Sequence, residues 1–438
     1  MSSESGFGLA AGEVKRRHIL PKALVVGLVA GLLATAFRMA LAAAEGGRIA
    51  LLTPLEPGVR IPVAITLGAV GGGLGLWLVR RFAPDASGSG IPQLKAFVLG
   101  QRGLEWRRLL PIKFLAGLVG IGGGLALGRE GPTIQMGGAT GLMVGEWFRV
   151  RPGEGERKAL IAAGAGAGLA AAFNAPLAGV MFVLEELAGN FTPVVFVSAF
   201  LASVTADVVG RILTGEMPIF PLHDMPAPGL HALPAALVLG LACGLGGVLF
   251  NRSLLKSLDL YARLRWPAWT IGALAGAVAG LASGIYPGVA GGGGLLAERA
   301  IAGEIALRWL PALLLTRFFL SMTSYGTGAA GGIFAPLLVL GALGGLTFGQ
   351  VVHSVAPAWA AQPAAFAVIG MGGLLTAIVR APLTGIVLMI ELTGKYDFML
   401  PLLACCLVAY GVAEGLRDTP IYEALRERAL NRERAAEQ

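Results

Sequence analysis

Charge is what this chain has least of. Only 14% of its 438 residues are Asp, Glu, Lys or Arg, while 55% are apolar. A soluble domain carries roughly a quarter of its residues as charges, so a water-exposed globular enzyme is excluded. Cysteine is scarce too: Cys243, Cys405 and Cys406 all fall inside apolar runs, which leaves neither a disulfide frame nor a zinc site. The four histidines show no ligand spacing, so no metal is expected. The formal net charge is +8, but its basic residues are scattered over loops and ends, which argues against a nucleic-acid partner. The glycine-rich run 164–168 lacks the GxGxxG spacing of a dinucleotide fold and reads as helix packing.

What the chain does have is long apolar windows. Residues 23–44, 62–79, 232–250 and 397–413 are each long enough, or nearly so, to cross a bilayer. Mean hydropathy is +0.73. The fold class that follows is an all-α polytopic membrane protein, one transmembrane domain over 1–438. Lys15, Arg16, Arg17 and Lys22 precede the first window, and Arg417, Arg426, Arg428, Arg432 and Arg434 follow the last. The positive-inside rule then places both termini in the cytoplasm, with an even number of crossings. The first apolar run is expected to stay as a helix, because no small-residue cleavage site follows it. Only 16 residues follow Tyr422, too few for a folded regulatory module.

A proline-rich stretch, 214–232, divides the chain almost in half, and the halves at about 20–213 and 233–425 resemble each other. A shift of 204 places Gly128, Pro132, Gly137, Gly141 and Gly145 on Gly332, Pro336, Gly341, Gly345 and Gly349. The same shift places Gly88 and Gly90 on Gly292 and Gly294. A shift of 206 lays Ala175-Pro176-Leu177-Ala178-Gly179 on Ala381-Pro382-Leu383-Thr384-Gly385, and Glu185 on Glu391. Transporters built this way hold their substrate between the repeats, on interrupted helices. The shift alone leaves parallel and inverted repeats equally open.

Positions that differ between the halves are candidates for chemistry. Glu130 falls on Phe334, Ser89 on Gly293 and Glu186 on Leu392. Four breaks begin helices: 88–92, 128–132, 332–336 and the run before Tyr422. Helix N-termini carry unpaired N–H groups and about half a positive charge, so several converging at mid-membrane suit a dehydrated monovalent anion. Ser89 and Tyr422 can add hydroxyl donors. Glu130, set in Gly128-Arg129-Glu130-Gly131-Pro132, is an expensive intramembrane carboxylate. Itself an anion, it can compete for the helix-end site and withdraw when protonated. The rival reading pairs it with Arg129, although adjacent residues at a break seldom pair well. Glu185, matched by Glu391, reads as a structural acid at a cytoplasmic helix end, whereas Glu186 reads as a proton acceptor. Lys113, Arg317 and Arg380 are expected to snorkel from helix ends.

Together the motifs resemble the CLC family of chloride channels and proton/chloride antiporters. They are GSGIP at 88–92, GREGP at 128–132, FNAPLAG at 173–179 with Glu185-Glu186, GIFAP at 332–336, and Pro420-Ile421-Tyr422, spread over essentially the whole chain. The resemblance implies inverted halves, a homodimer with one pathway per subunit, and a multi-pass cell membrane protein of the bacterial inner-membrane type. It implies chloride held by the Ser89 and Tyr422 hydroxyls and the Ile333 and Phe334 amides. An outer site would use the backbone around Arg129, Glu130 and Gly131, filled in turn by chloride and the Glu130 side chain. Glu186 matches the family's second, proton-relaying acid, which favours chloride/proton exchange over a passive gated channel. Serine at 89 goes with chloride preference in that family. Gln93 departs from the Glu common in relatives, and the cytosolic nucleotide-binding pair of many relatives is absent, so no nucleotide or other cofactor is expected.

Overall fold

The computed structural model describes residues 16–151, 155–189, 191–222, 225–226 and 228–437; Lys15 lies outside them. Helices of the first half are α1 (Arg16–Leu52), α2 (Pro57–Phe82), α3 (Ile91–Val98), α4 (Trp106–Gly123), α5 (Glu130–Trp147), α6 (Gly155–Phe173), α7 (Pro176–Phe182) and α8 (Pro193–Thr214). The second half repeats the order as α9 (Leu233–Arg263), α10 (Ala268–Ile285), α11 (Gly294–Ile301), α12 (Leu310–Gly326), α13 (Phe334–Val355), α14 (Ala365–Val379), α15 (Pro382–Thr393) and α16 (Met399–Gly415). A last helix, α17 (Ile421–Glu437), has no counterpart among the described residues. No β-strand occurs among the described residues, only two isolated bridges. Seven described helices are long and apolar enough to cross a membrane, and they cover all four windows read from the sequence. This is a multi-pass membrane protein.

The break residues set where helices start. Prolines open α7 and α15 at Pro176 and Pro382, where the missing N–H costs nothing. Gly90 and Gly293, at φ 82° and 79°, are the residues before α3 and α11 and take a left-handed conformation that glycine reaches freely. The carboxylate-bearing break starts its helix two residues earlier than Pro132 suggests, because Glu130 itself is the first helical residue.

Three sets of reciprocal contacts fix how the halves meet. Helices α2 and α10 pack with Gly68 on Gly276 and Gly72 on Gly272, so they run antiparallel. A Cβ on Gly276 would stand 1.9 Å from the Gly68 carbonyl oxygen, which is why the seam is glycine. Gly128 and Gly332 exchange hydrogen bonds, N–H to carbonyl in both directions, at 2.7 Å each. Glu185 accepts from Leu383 and Thr384 N–H, while Glu391 accepts from Leu177 and Ala178 N–H. Equivalent residues that contact one another in antiparallel fashion are related by a two-fold axis across the helices. The halves are therefore inverted, which resolves the alternative the sequence left open.

Helices α5, α6, α13 and α14 form the centre, with α6 buried from Ala159 to Phe173 and α14 throughout. Peripheral helices expose large apolar side chains such as Val70, Leu249 and Leu407, the surface a bilayer requires. The stretch between α8 and α9 is more than a spacer. Phe220 N–H bonds the Leu392 carbonyl, and Ile219 and Phe220 wall a cavity that reaches Glu130.

Candidate ion-binding site

Three of the four breaks meet at Gly131. A Cβ there would lie 2.9 Å from Gly332 Cα and 2.9 Å from both Ser89 Cα and Cβ, so only glycine lets the loops close. Gly88 and Ala330 form a second, parallel bridge between the Ser89 loop and the loop before α13. The result is three chain ends, two of them opening α5 and α13, aimed at one dry region.

Ser89 is fully buried. Its Oγ accepts from the Ile91 N–H at 3.4 Å and from the Tyr325 hydroxyl at 3.5 Å. With its acceptor side engaged, the hydroxyl proton is left to donate. Ile333 and Phe334 stand at the start of α13, where N–H groups have no intrahelical acceptor. Phe334 is buried, with its ring 6.2 Å from Phe173 and 6.0 Å from Phe182. Tyr422 is the second residue of α17, is fully buried, and its hydroxyl has no hydrogen-bond partner among the described residues. Tyr325, Glu186 and Glu130 all act on it electrostatically. A buried hydroxyl without a partner costs about 1–3 kcal/mol, a cost that an anion acceptor would remove.

Glu130 is 2% exposed, and its Oε2 accepts the Ala335 N–H at 3.2 Å. The carboxylate of one half thus rests on the first turn of the equivalent helix in the other half. Arg129 stands 3.8 Å away through Nε, so the contact expected to be poor at a break does form, beside the Ala335 bond rather than instead of it. Glu130 also lines a cavity of about 170 Å³, whose charged lining residues include Glu45, Arg129 and Glu298.

Glu186 lies apart from this cluster, on a π-helical turn over Val183–Ala188 that continues α7. Such turns interrupt regular helix pairing and recur at functional positions. Glu186 is 6% exposed and accepts from Lys95 Nζ at 2.8 Å. Glu185 differs from the surface acid expected. Its carboxylate caps α15, taking the Leu383 and Thr384 N–H at 3.0 and 2.6 Å and the Thr384 hydroxyl at 2.6 Å. The structural reading of Glu185 holds, with a different physical cause.

The cations correct a second expectation. Lys113 and Arg317 do not snorkel; both are fully buried. Lys113 Nζ donates to the Ala86 and Gly88 carbonyls at 2.9 and 2.7 Å, directly beneath Ser89. Arg317 donates to the Val289 and Gly291 carbonyls at 2.8 and 2.9 Å. The two are repeat equivalents, 204 residues apart, holding equivalent loops. The same shift lays cation on cation in the sequence, a signal of a shared architectural role that their apolar neighbours mask. Arg380 also faces inward, donating to the Asp418 carbonyl at 3.1 Å just before Tyr422. Lys95 and Tyr325 carried no motif signal.

A family model described as "Voltage gated chloride channel" matches residues 71–414. The chain belongs to this family. Its relatives include the H(+)/Cl(-) exchange transporter ClcA of Yersinia pseudotuberculosis, 38% identical over 95% of this chain and 89% of the relative. The transporter of the same name from Vibrio cholerae is 40% identical over 96% and 91%. Among solved structures, a slow cyanobacterial Cl-/H+ antiporter superposes with a TM-score of 0.89 at 38% identity, covering 95% of this chain and 99% of that one. A eukaryotic CLC transporter shares the fold at 23% identity, with a TM-score of 0.78.

Proposed function

We propose that this chain exchanges chloride for protons across a membrane and is a transporter rather than an enzyme. The placement that carries the reading is Glu130, whose carboxylate bonds the first-turn N–H of Ala335. A bound anion would use the same positive helix end. Protonation removes the carboxylate's attraction to that end and frees it for chloride, so one side chain carries the proton and gates the anion. Ser89, Ile333, Phe334 and Tyr422 hold chloride below it, and the backbone at Arg129, Glu130 and Gly131 forms the outer position. Glu186 passes protons between Glu130 and the cytoplasm. The exchange names of the bacterial relatives and of the cyanobacterial structure favour this over a passive channel.

The same reading takes residues 1–438 as one transmembrane domain with halves at about 20–213 and 233–425, joined by 214–232. Basic residues at both ends place both termini in the cytoplasm of a bacterial inner membrane. A homodimer in the lipid bilayer, with one pathway per subunit, completes it; neither nucleic acid, nucleotide nor metal takes part.

The test is purified protein in liposomes with a chloride gradient and no pH gradient. Exchange predicts uphill proton movement, lost in Glu130→Gln. Glu186→Ala should keep chloride flux and lose proton movement. A reversal potential fixed at the chloride equilibrium value whatever the pH gradient would assign a passive channel instead.

A further inference from the structure

The cytoplasmic carboxylate is not left facing water. Lys95 lies on the last turn of α3, and its Nζ sits between two acids: Glu186 Oε1 at 2.8 Å and Glu423 Oε2 at 3.3 Å. The lysine and Glu186 side chains are 18% and 6% exposed, so this pair is screened far less than a surface ion pair. Glu423 is bonded in turn to Arg426, whose other guanidinium nitrogen donates to Gln101 Oε1 at 2.5 Å. Burial alone would push the Glu423 carboxyl up, but the Arg426 and Lys95 cations outweigh it and hold it below the usual carboxylate range. The charges acting on Glu186 are Lys95 from α3, Glu423 from α17 and Glu185 from its own turn, with Tyr422 also within electrostatic reach.

The helices joined by this lysine are those that carry the anion hydroxyls. The loop ending at Gly90 brings Ser89 to the start of α3, and Tyr422 is the second residue of α17. Glu423 is the residue after Tyr422, so the Lys95–Glu423 contact ties the two hydroxyl-bearing ends together. Lys95 has one ammonium to divide between Glu186 and Glu423. When Glu186 takes a proton its claim on the ammonium drops, and the lysine moves wholly to Glu423.

We propose that Lys95 is a positioning residue for proton exchange, favouring the charged form of Glu186 and linking its charge state to the helices bearing Ser89 and Tyr422. The inference rests on the exchange reading above. It implies that Lys95 sets the cytoplasmic pH range in which Glu186 loads.

An opposite charge at this distance lowers a carboxyl's midpoint by about one unit or more, so its removal raises the midpoint. In Lys95→Met, chloride-driven proton transport should persist to cytoplasmic pH higher by about one unit. Lys95→Arg should restore the parent profile. Glu423→Gln, which removes a competing acid and leaves the lysine to Glu186, should move the midpoint the other way. A purely structural lysine would lower transport equally at every pH, and superimposable profiles for Lys95→Met and the parent would overturn the proposal. Infrared titration of the Glu186 carboxyl band, assigned by its loss in Glu186→Gln, reads the same shift without transport. A parent protein that moves no protons uphill would sink the exchange reading, whereas an unshifted band in Lys95→Met and Glu423→Gln would sink this one.

Discussion

Tyr422 and Ser89 reach the same chemical state by different routes. Among the described residues the buried Tyr422 hydroxyl has no partner, and the Ser89 oxygen accepts two contacts, which leaves its proton to donate. Each is a donor in a dry site, the state in which a hydrogen bond to an anion is worth most. Tyr422→Phe removes one such donor while keeping the ring that fills the site. A bond to a charged group contributes about 1.5–3 kcal/mol, so chloride affinity by calorimetric titration should fall about tenfold or more. Unchanged affinity would remove Tyr422 from the anion site. Lys113 acts one step back. Its Nζ donates to two carbonyls beneath Ser89. Lys113→Met leaves those carbonyls unpaired, so thermal unfolding in detergent should show a loss of about 3 kcal/mol. Chloride affinity should fall as well, since the group that holds the Ser89 loop has left the floor of the site.

At the scale of elements, the short helices α7 and α15 depend on each other's carboxylates. Glu391 takes the Leu177 and Ala178 N–H at 3.0 and 2.7 Å, and Glu185 does the same for α15. Each acid caps the partner helix and meets its positive end, which is why the two match across the repeat. Glu391→Ala should cost about 2 kcal/mol of stability, read as a lowered unfolding temperature, with proton/chloride coupling intact. Loss of coupling would mean that Glu391 does more than cap. The repeat made the shared acids and the odd residues, Glu130 and Glu186, legible from sequence alone. It could not reveal what Glu185 touches, because its partners lie 198 and 199 residues away. Lys95 was illegible for the same reason: nothing local in Gln93-Leu94-Lys95 signals two acids from distant helices. The three loops at Gly131 were legible as breaks, but their convergence needed the two-fold.

For the whole molecule, the inverted arrangement puts two equal helix ends nose to nose, giving an anion a positive site without a buried cation as direct ligand. It also requires the halves to approach closely along α2 and α10. Gly68, Gly72, Gly272 and Gly276 meet there with carbonyls where side chains would stand. A seam that sets the distance between the halves would also set the spacing of the Glu130 and Ala335 ends. Gly276→Ala puts a methyl 1.9 Å from the Gly68 oxygen, a clash with backbone that no rotamer relieves. Overpacking of this kind costs about 1–3 kcal/mol or more, and parting the seam should also weaken chloride binding. Gly411 in α16 provides the contrast, because a Cβ there meets nothing within 4 Å. Gly411→Ala should leave binding unchanged and raise stability by about 0.5–1 kcal/mol, since glycine is the poorer helix former. Unfolding temperature and chloride titration on the two variants separate a seam that positions the site from one that only fills space. If Gly276→Ala lowers stability but leaves chloride affinity at the parent value, the distance between the halves is set elsewhere, at the Gly128–Gly332 bonds.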